Sequence, residues 1–401
     1  MRTLLRDRNF RLLAAGQTLS AFGDYAMFLV FGIWAKELTG SNAAAGLTFL
    51  PFAATALLGP ALGVFVDRLP RRKVMIVTDV AAALVEMPLF LIHGPDDVWL
   101  LYVVAFMLGI CVTVYQGARS GLLVAMLDEE RLPDANGLLE SSNQAMRLGA
   151  PLAGAAMYTL WGGQAVAALD AGTFLVSAGL LLAVHSRDLE RRRDRVRILH
   201  EMREGIRHIS RDATLRRLAI GTAVVLLFVG TSEITIFALV DEGLGKRPAF
   251  LGVISSVQGL GSIAAGIVAG WAMRRWGQLR TAAIAIGAAA AGLALFAGAT
   301  IPLVLAGAVG FGIANSLYMV SYVTIVQTRT PLELQGRVMT ATEAMISIPY
   351  VCSFAIGAAL VSILDFRVIY AISAIALVAC GFYVARDTEK AEGNVVAADA
   401  A

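Results

Sequence analysis

Apolar positions in this chain gather into long runs separated by short polar stretches. A helix needs about 20 consecutive apolar residues to cross the hydrocarbon of a bilayer, at ~1.5 Å per residue. Twelve runs fit: 11–35, 43–66, 73–93, 98–122, 136–160, 164–185, 217–240, 249–272, 279–298, 301–326, 338–363 and 366–386. They are too long for membrane strands and lack a period of two. The pattern predicts an all-α membrane protein with twelve transmembrane helices.

The spans fall into two sets of six. Residues 1–185 form the first predicted six-helix bundle and 217–386 the second. Residues 186–216 between them form a cytoplasmic linker carrying Arg191, Arg192 and Arg193, then Leu199, Met202, Ile206 and Ile209 at helical spacing. That spacing predicts an amphipathic helix on the inner leaflet. The Ala-rich tail, 387–401, reads as disordered and cytoplasmic. The halves also repeat: 63–68 ends span 2 as 270–275 ends span 8, and 130–137 leads into span 5 as 331–337 leads into span 11. Two pseudo-symmetric bundles with a polar site at their midplane suit a carrier that rocks between two states.

Composition agrees with lipid as the solvent. Apolar residues make up 58% and charged residues 16%, against about 25% charged in soluble domains. Basic residues set the orientation. Arg2, Arg6, Arg8 and Arg11 precede span 1; Arg68, Arg71, Arg72 and Lys73 follow span 2; Arg274, Arg275 and Arg280 follow span 8. The alternate loops are poor in Lys and Arg, so both termini are expected in the cytoplasm of a cell with this chain in its inner membrane. The acidic loop 128–134 runs against the trend, but acids weigh little in this rule.

Several chemistries find no support in the residues. Cys111, Cys352 and Cys380 lie inside apolar runs without disulfide or metal-ligand spacing. No Gly-x-x-x-x-Gly-Lys-Ser/Thr loop occurs, and no nucleophile–base pair or His cluster. The expectation is a non-enzyme without cofactor or metal, and a monomer. Nucleic acid is not an expected partner, since the basic linker has no aromatics and many acids.

Ionisable residues inside the spans carry the functional signal: Asp24, Glu86, Arg119, Glu140, Arg147, Asp170, Glu233 and Glu343. Each costs about 2.5–3.5 kcal/mol at the bilayer centre on insertion scales, so they are expected to face a polar interior. Helical spacing agrees, with polar stripes at Gln17, Ser20 and Asp24; Glu140, Asn143, Gln144 and Arg147; Ser255, Gln258 and Ser262; Asn315, Tyr318 and Tyr322; and Thr340, Glu343, Ser347 and Tyr350. A carboxyl in low dielectric without a cationic partner is a proton carrier. The proton-coupling candidates are Asp24, Glu233, Asp170 and Glu86, and Arg119, Arg147, Glu140 and Glu343 are the charge partners in the cavity. The competing reading of each acid is a static pair with Arg119 or Arg147. The substrate-cavity candidates are Gln17, Tyr25, Phe28, Tyr115, Gln116, Asn143, Gln258, Asn315, Tyr318, Tyr322 and Tyr350, set against the plainer reading of packing.

The stretch Gly63-x-x-x-Asp67-Arg68-x-x-Arg71-Arg72 resembles the loop 2–3 signature of the major facilitator superfamily, with Pro70 in place of the usual Gly. The resemblance implies a cytoplasmic gate made of Gly63, Asp67, Arg68, Arg71 and Arg72. In the second half Arg274 stands where Asp67 maps. Gln116-Gly117 is similar to the family's span 4 motif, with Thr113 in place of its Arg. Gly149-Ala-Pro151-Leu-Ala-Gly154 is similar to the Gly-Pro motif of drug/proton antiporters, which implies export. Gly23-Asp24, and residues 130–138 before span 5, resemble the macrolide-efflux and enterobactin-exporter branch. These resemblances imply a secondary active, proton-coupled exporter of a small amphipathic compound (a drug, siderophore or secondary metabolite) working by alternating access. A metabolite importer and a non-transporting scaffold or receptor are the competing classes.

Overall fold

Polar residues between the apolar runs set where the helices start and stop. The computed structural model describes residues 4–66, 69–128, 131–185, 195–331 and 334–386. The predicted tail 387–401, the Arg191–Arg193 cluster and the gate residues Asp67 and Arg68 lie outside the described residues. Helix α1 (Arg8–Thr39) begins where Asp7 Oδ1 accepts from the amides of Asn9 at 2.8 Å and Phe10 at 3.1 Å. It ends at Gly40, whose φ of +68° only glycine adopts cheaply. Asp212 and Asp365 cap α10 (Ala213–Ala238) and α15 (Phe366–Ala385) by the same device.

Span 2 departs from the expected single helix. It divides into α2 (Asn42–Leu47), α3 (Phe49–Ala54), a 3-10 turn at Thr55–Leu58, and α4 (Gly59–Val66). The reason is proline. Pro51 and Pro60 bring no amide hydrogen, so the carbonyls of Leu47 and Ala56 lose their donors, and the α-helix breaks at those two points. Pro88 acts likewise on α5 (Arg71–Val85), which continues as a 3-10 segment at Met87–Leu91.

The remaining helices run as α6 (Val98–Met126), α7 (Leu132–Trp161), α8 (Gly163–Leu182), α9 (Arg195–Arg211), α11 (Phe250–Trp276), α12 (Gln278–Ala297), α13 (Ile301–Thr328) and α14 (Gln335–Ile363). Among the described residues, ten helices are long and apolar enough to cross a membrane. The broken span 2 and α7, whose first half is polar, complete the twelve spans. Ile267, Ile363 and Ile375 are 79%, 74% and 71% exposed on α11, α14 and α15. Large apolar side chains held that far open belong against lipid tails.

Two compact units emerge, Met1–Arg195 with Arg247–Ser256, and Val196–Lys246 with Val257–Ala401. Helix α9 belongs to the second. Its Glu204 pairs with Arg337 at the start of α14, and Asp212 just beyond it lies 3.7 Å from Arg329.

Small residues let the helices close on one another. In the first unit, a methyl group added at Gly154 of α7 would sit 2.8 Å from the Ala26 carbonyl oxygen of α1. In the second, one added at Gly312 of α13 would sit 1.8 Å from the Gln258 carbonyl oxygen of α11. Gly137, by contrast, meets nothing within 4 Å. Gly154→Val and Gly312→Val are therefore expected to lower stability by about 1–3 kcal/mol, whereas Gly137→Ala is neutral or slightly stabilising. Melting of the purified protein in detergent, followed by tryptophan fluorescence, checks the contrast.

Candidate functional site

Three helices of the first unit place polar residues at matched intervals of seven. On α1 these are Gly16-Gln17 and Gly23-Asp24; on α8, Asp170 and Ser177; and on the α5 segment, Asp79 and Glu86. Seven residues make nearly two turns, or ~10.5 Å, so each pair shares a face of its helix. Two glycines bring the helices together. A methyl group at Gly23 would lie 2.2 Å from Asp170 Oδ1 and 2.6 Å from Thr173 Oγ1, and one at Gly16 would lie 3.2 Å from Ser177 Oγ. The result is two polar rungs. One holds Asp24, Asp170 and Glu86, whose carboxyl faces that of Asp170. The other holds Gln17, Ser177 and Asp79, which lies beside Ser177.

The rungs are dry. Glu86, Asp170, Asp79 and Ser177 are 0%, 1%, 2% and 0% exposed. Asp24 is half-buried, within electrostatic reach of both Asp170 and Asp79, so it links the rungs. The Thr173 hydroxyl stands 2.7 Å from the Asp170 carbonyl oxygen and 3.3 Å from its Oδ1. Both carboxyl oxygens of Glu86, Asp79 Oδ2, Asp170 Oδ2, Ser177 Oγ, Tyr115 Oη and Gln17 Oε1 have no hydrogen-bond partner among the described residues. No Lys or Arg among the described residues sits against the four acids. Two hydrophobic clusters flank the rung of Asp79 and Ser177. Phe10, Leu13, Met75, Leu122 and Leu181 belong to one, and Ala26, Ala82, Leu108 and Phe174 to the other. Asp79 and Ser177 lie between them on their helices.

A basic rim borders this layer. Tyr25 stands between Asp24 and a group made of Arg147, Asn143 and Glu140. Arg119 lies near Tyr115 and Glu140, and Gln144 Nε2 donates to Glu140 Oε1 at 2.8 Å. Arg147, Glu140 and Gln116 are exposed. Phe28 packs its ring 4.7 Å from that of Phe49 and 5.4 Å from that of Phe52, an aromatic contact within the first unit.

At the loop 2–3 end, Arg72 Nε donates to the Leu181 carbonyl at 2.8 Å and Nη2 to the Leu182 carbonyl at 2.6 Å. A guanidinium thus closes the carbonyl end of α8. The Arg71 side chain lies over Gly121 of α6, and Gly63 has open space around its Cα.

The second unit holds a different set. Tyr350 Oη donates to Glu233 Oε2 at 3.4 Å. Tyr318 Oη lies 2.7 Å from Thr222 Oγ1, and its ring stacks on Tyr322 at 6.4 Å. Ser262 Oγ, one turn beyond Gln258, donates to the Gly312 carbonyl at 3.0 Å. Asn315 is exposed. The side chain of Glu343 lies outside the described residues.

Asp79, Thr173 and Ser177 escape the reading of polar positions span by span. The signal was the interval: Asp79 precedes Glu86 by seven residues and Ser177 follows Asp170 by seven. Among the described residues, no three His, Cys, Asp or Glu side chains converge as a metal ion's ligands would.

Comparisons with known proteins agree with this architecture. A sequence model of the Major Facilitator Superfamily matches residues 13–240 and 218–400. The uncharacterized MFS-type transporter YfiS of Bacillus subtilis is 23% identical over 368 residues, covering 88% of this chain and 87% of the relative. Macrolide efflux protein A of Streptococcus pyogenes is 27% identical over 232 residues, 55% of this chain and 56% of that protein. A Bacillus subtilis protein assigned as the bacilysin exporter BacE is 26% identical over 373 residues, 90% of each chain. Among solved structures, the POT family transporter PepTSo superposes with a TM-score of 0.77 at 10% identity, over 96% of this chain and 98% of that one. A bacterial homologue of the iron transporter ferroportin in its inward-facing state gives 0.72 at 17% identity, over 94% and 98%. At such identities the structural likeness speaks for the fold.

The Arg72 contacts generate a direct test. Arg72→Ala is expected to lose about 1–2 kcal/mol, because two charge-assisted bonds to carbonyls at a helix end disappear. Arg72→Lys, with a single ammonium, is expected to recover part of it. Thermal melting, with limited proteolysis after α8, reads both.

Proposed function

The chain belongs to the major facilitator superfamily, and on that premise we propose that it exports a small amphipathic compound in exchange for protons. It works by alternating access, as a monomer in the inner membrane with both termini in the cytoplasm. One observation carries the proton part of this reading. Four carboxyls stand in the dry interior of the first unit, three of them at most 2% exposed, with no Lys or Arg among the described residues set against them. Charge held that way in lipid is costly, and taking up and releasing protons is the function that gives the cost a use. Asp24 is the member best placed to exchange with water, being half-buried. Glu233, with Tyr350 as its donor, is the candidate of the second unit.

Direction and cargo rest on kinship and on the rim. Relatives that together match most of this chain are a macrolide efflux protein and a protein assigned as a bacilysin exporter. Both names describe export of a small compound. Within the first unit, Tyr25, Asn143 and Arg147 offer aromatic and hydrogen-bonding groups of the kind that holds such molecules; within the second, Gln258, Asn315 and Tyr350 do so. Asp67, Arg68, Arg71 and Arg72 serve as the cytoplasmic gate.

Everted membrane vesicles test the reading. A panel of labelled amphipathic compounds, macrolides included, is expected to yield at least one that accumulates when a proton gradient is applied and leaks out on adding a protonophore. Uptake in right-side-out vesicles instead would reverse the direction. Asp24→Asn is expected to abolish gradient-driven accumulation while leaving the protein folded; full accumulation in that variant would remove Asp24 from the mechanism.

A further inference from the structure

Proton coupling usually brings to mind one acid that protonates and deprotonates. The first unit instead holds carboxyls on two rungs, and the upper pair is sealed. We propose that Glu86 and Asp170 hold one proton between them as a store, that Asp24 carries it to and from water, and that Asp79 receives it on the rung nearer Arg71–Lys73. This inference rests on the proton-coupled reading above and names the groups that would serve it.

Geometry argues for the store. Glu86 and Asp170 face each other at 0% and 1% exposure, and neither Glu86 oxygen nor Asp170 Oδ2 has a hydrogen-bond partner among the described residues. Two carboxylates facing each other in low dielectric repel strongly, and a single proton between them removes the repulsion and provides the missing donor. The second rung supplies an independent observation. Ser177 is 0% exposed and lies beside both Asp79 and Tyr115. A hydroxyl between a carboxyl and a phenol in a dry layer can donate to one and accept from the other, which a transferred proton needs. Asp24 lies within electrostatic reach of Asp170 and Asp79 and beside Ser20, so its charge is felt on both rungs.

The groups facing the column on each packed element are Asp24 and Tyr25 on α1, Asp79 and Glu86 on the α5 segment, Cys111, Tyr115 and Arg119 on α6, Glu140 and Arg147 on α7, and Asp170 on α8. Both arginines sit on the rim beside Tyr115 and Tyr25. Each transfer breaks one O–H bond and forms another. The summed charge of the four carboxyls stays constant until Asp24 exchanges the proton with water.

The experiment uses the full chain in liposomes and needs no known substrate. Infrared difference spectra across a pH step are expected to show the carbonyl stretch of a buried carboxylic acid. Glu86→Gln and Asp170→Asn should each remove most of it, and Glu233→Gln should leave it in place. After a rapid pH jump, with pyranine reporting released protons, Asp24→Asn should slow release at least tenfold. A band that survives both Glu86→Gln and Asp170→Asn, or release in Asp24→Asn at the wild-type rate, overturns the proposal. The vesicle assay separates it from the exporter reading. A sealed proton pair in a chain that moves no compound of the panel would sink the exporter and keep the pair. Gradient-driven accumulation at full rate in the Glu86→Gln, Asp170→Asn double variant would sink the pair and keep the exporter.

Discussion

Carboxyl groups cannot be left charged and alone in lipid, and much of the first unit is arranged around that constraint. Asp24, Asp79, Glu86 and Asp170 are drawn inward onto α1, the α5 segment and α8, away from the acyl chains. No guanidinium or ammonium among the described residues was brought in to neutralise them. A static core would place cations there or replace the acids with apolar residues, since buried ion pairs are often no better than well-packed hydrocarbon. Retaining acids without partners makes sense when the number of bound protons changes during work.

The acids depend on glycine. Asp170 fits where it does because Gly23 has no side chain, and the same holds for Ser177 opposite Gly16. Close backbone approach is also the means by which helices associate in lipid, where burying apolar surface gives little advantage. One residue choice on α1 thus serves both packing and chemistry. The second unit uses small residues in the same way at Gly312 and Gly307, but hydroxyls and phenols take part in its interior polar contacts, as in Thr222 with Tyr318 and Tyr350 with Glu233. The two units are built by the same packing rule and furnished with different chemistry.

The relatives fit this division. A POT family transporter and a homologue of an iron transporter share the fold at 10% and 17% identity, and one fold hosts many functions. The sequence relatives with efflux or exporter in their names share more residues, at 27% and 26% identity. Recognition of cargo can change with the side chains while the frame stays common.

Much of the architecture was legible from the chain alone. Runs of about 20 apolar residues specify membrane helices because lipid offers no partner to an open backbone, and the charge of Asp24, Glu86 and Asp170 within such runs marked them as inward-facing. Span 2 shows where that logic thins, because hydrophobicity alone cannot tell an unbroken helix from one cut by Pro51 and Pro60, and only the missing amide hydrogens divide it into pieces. Asp79 was visible as a letter but not as a member of the site, because membership depends on what the neighbouring helices present. Helix periodicity fixes which residues share a face, whereas the rotation and depth of three helices against each other come from packing at Gly16 and Gly23. That packing, a tertiary fact, decided that Glu86 meets Asp170 and that Asp79 meets Ser177.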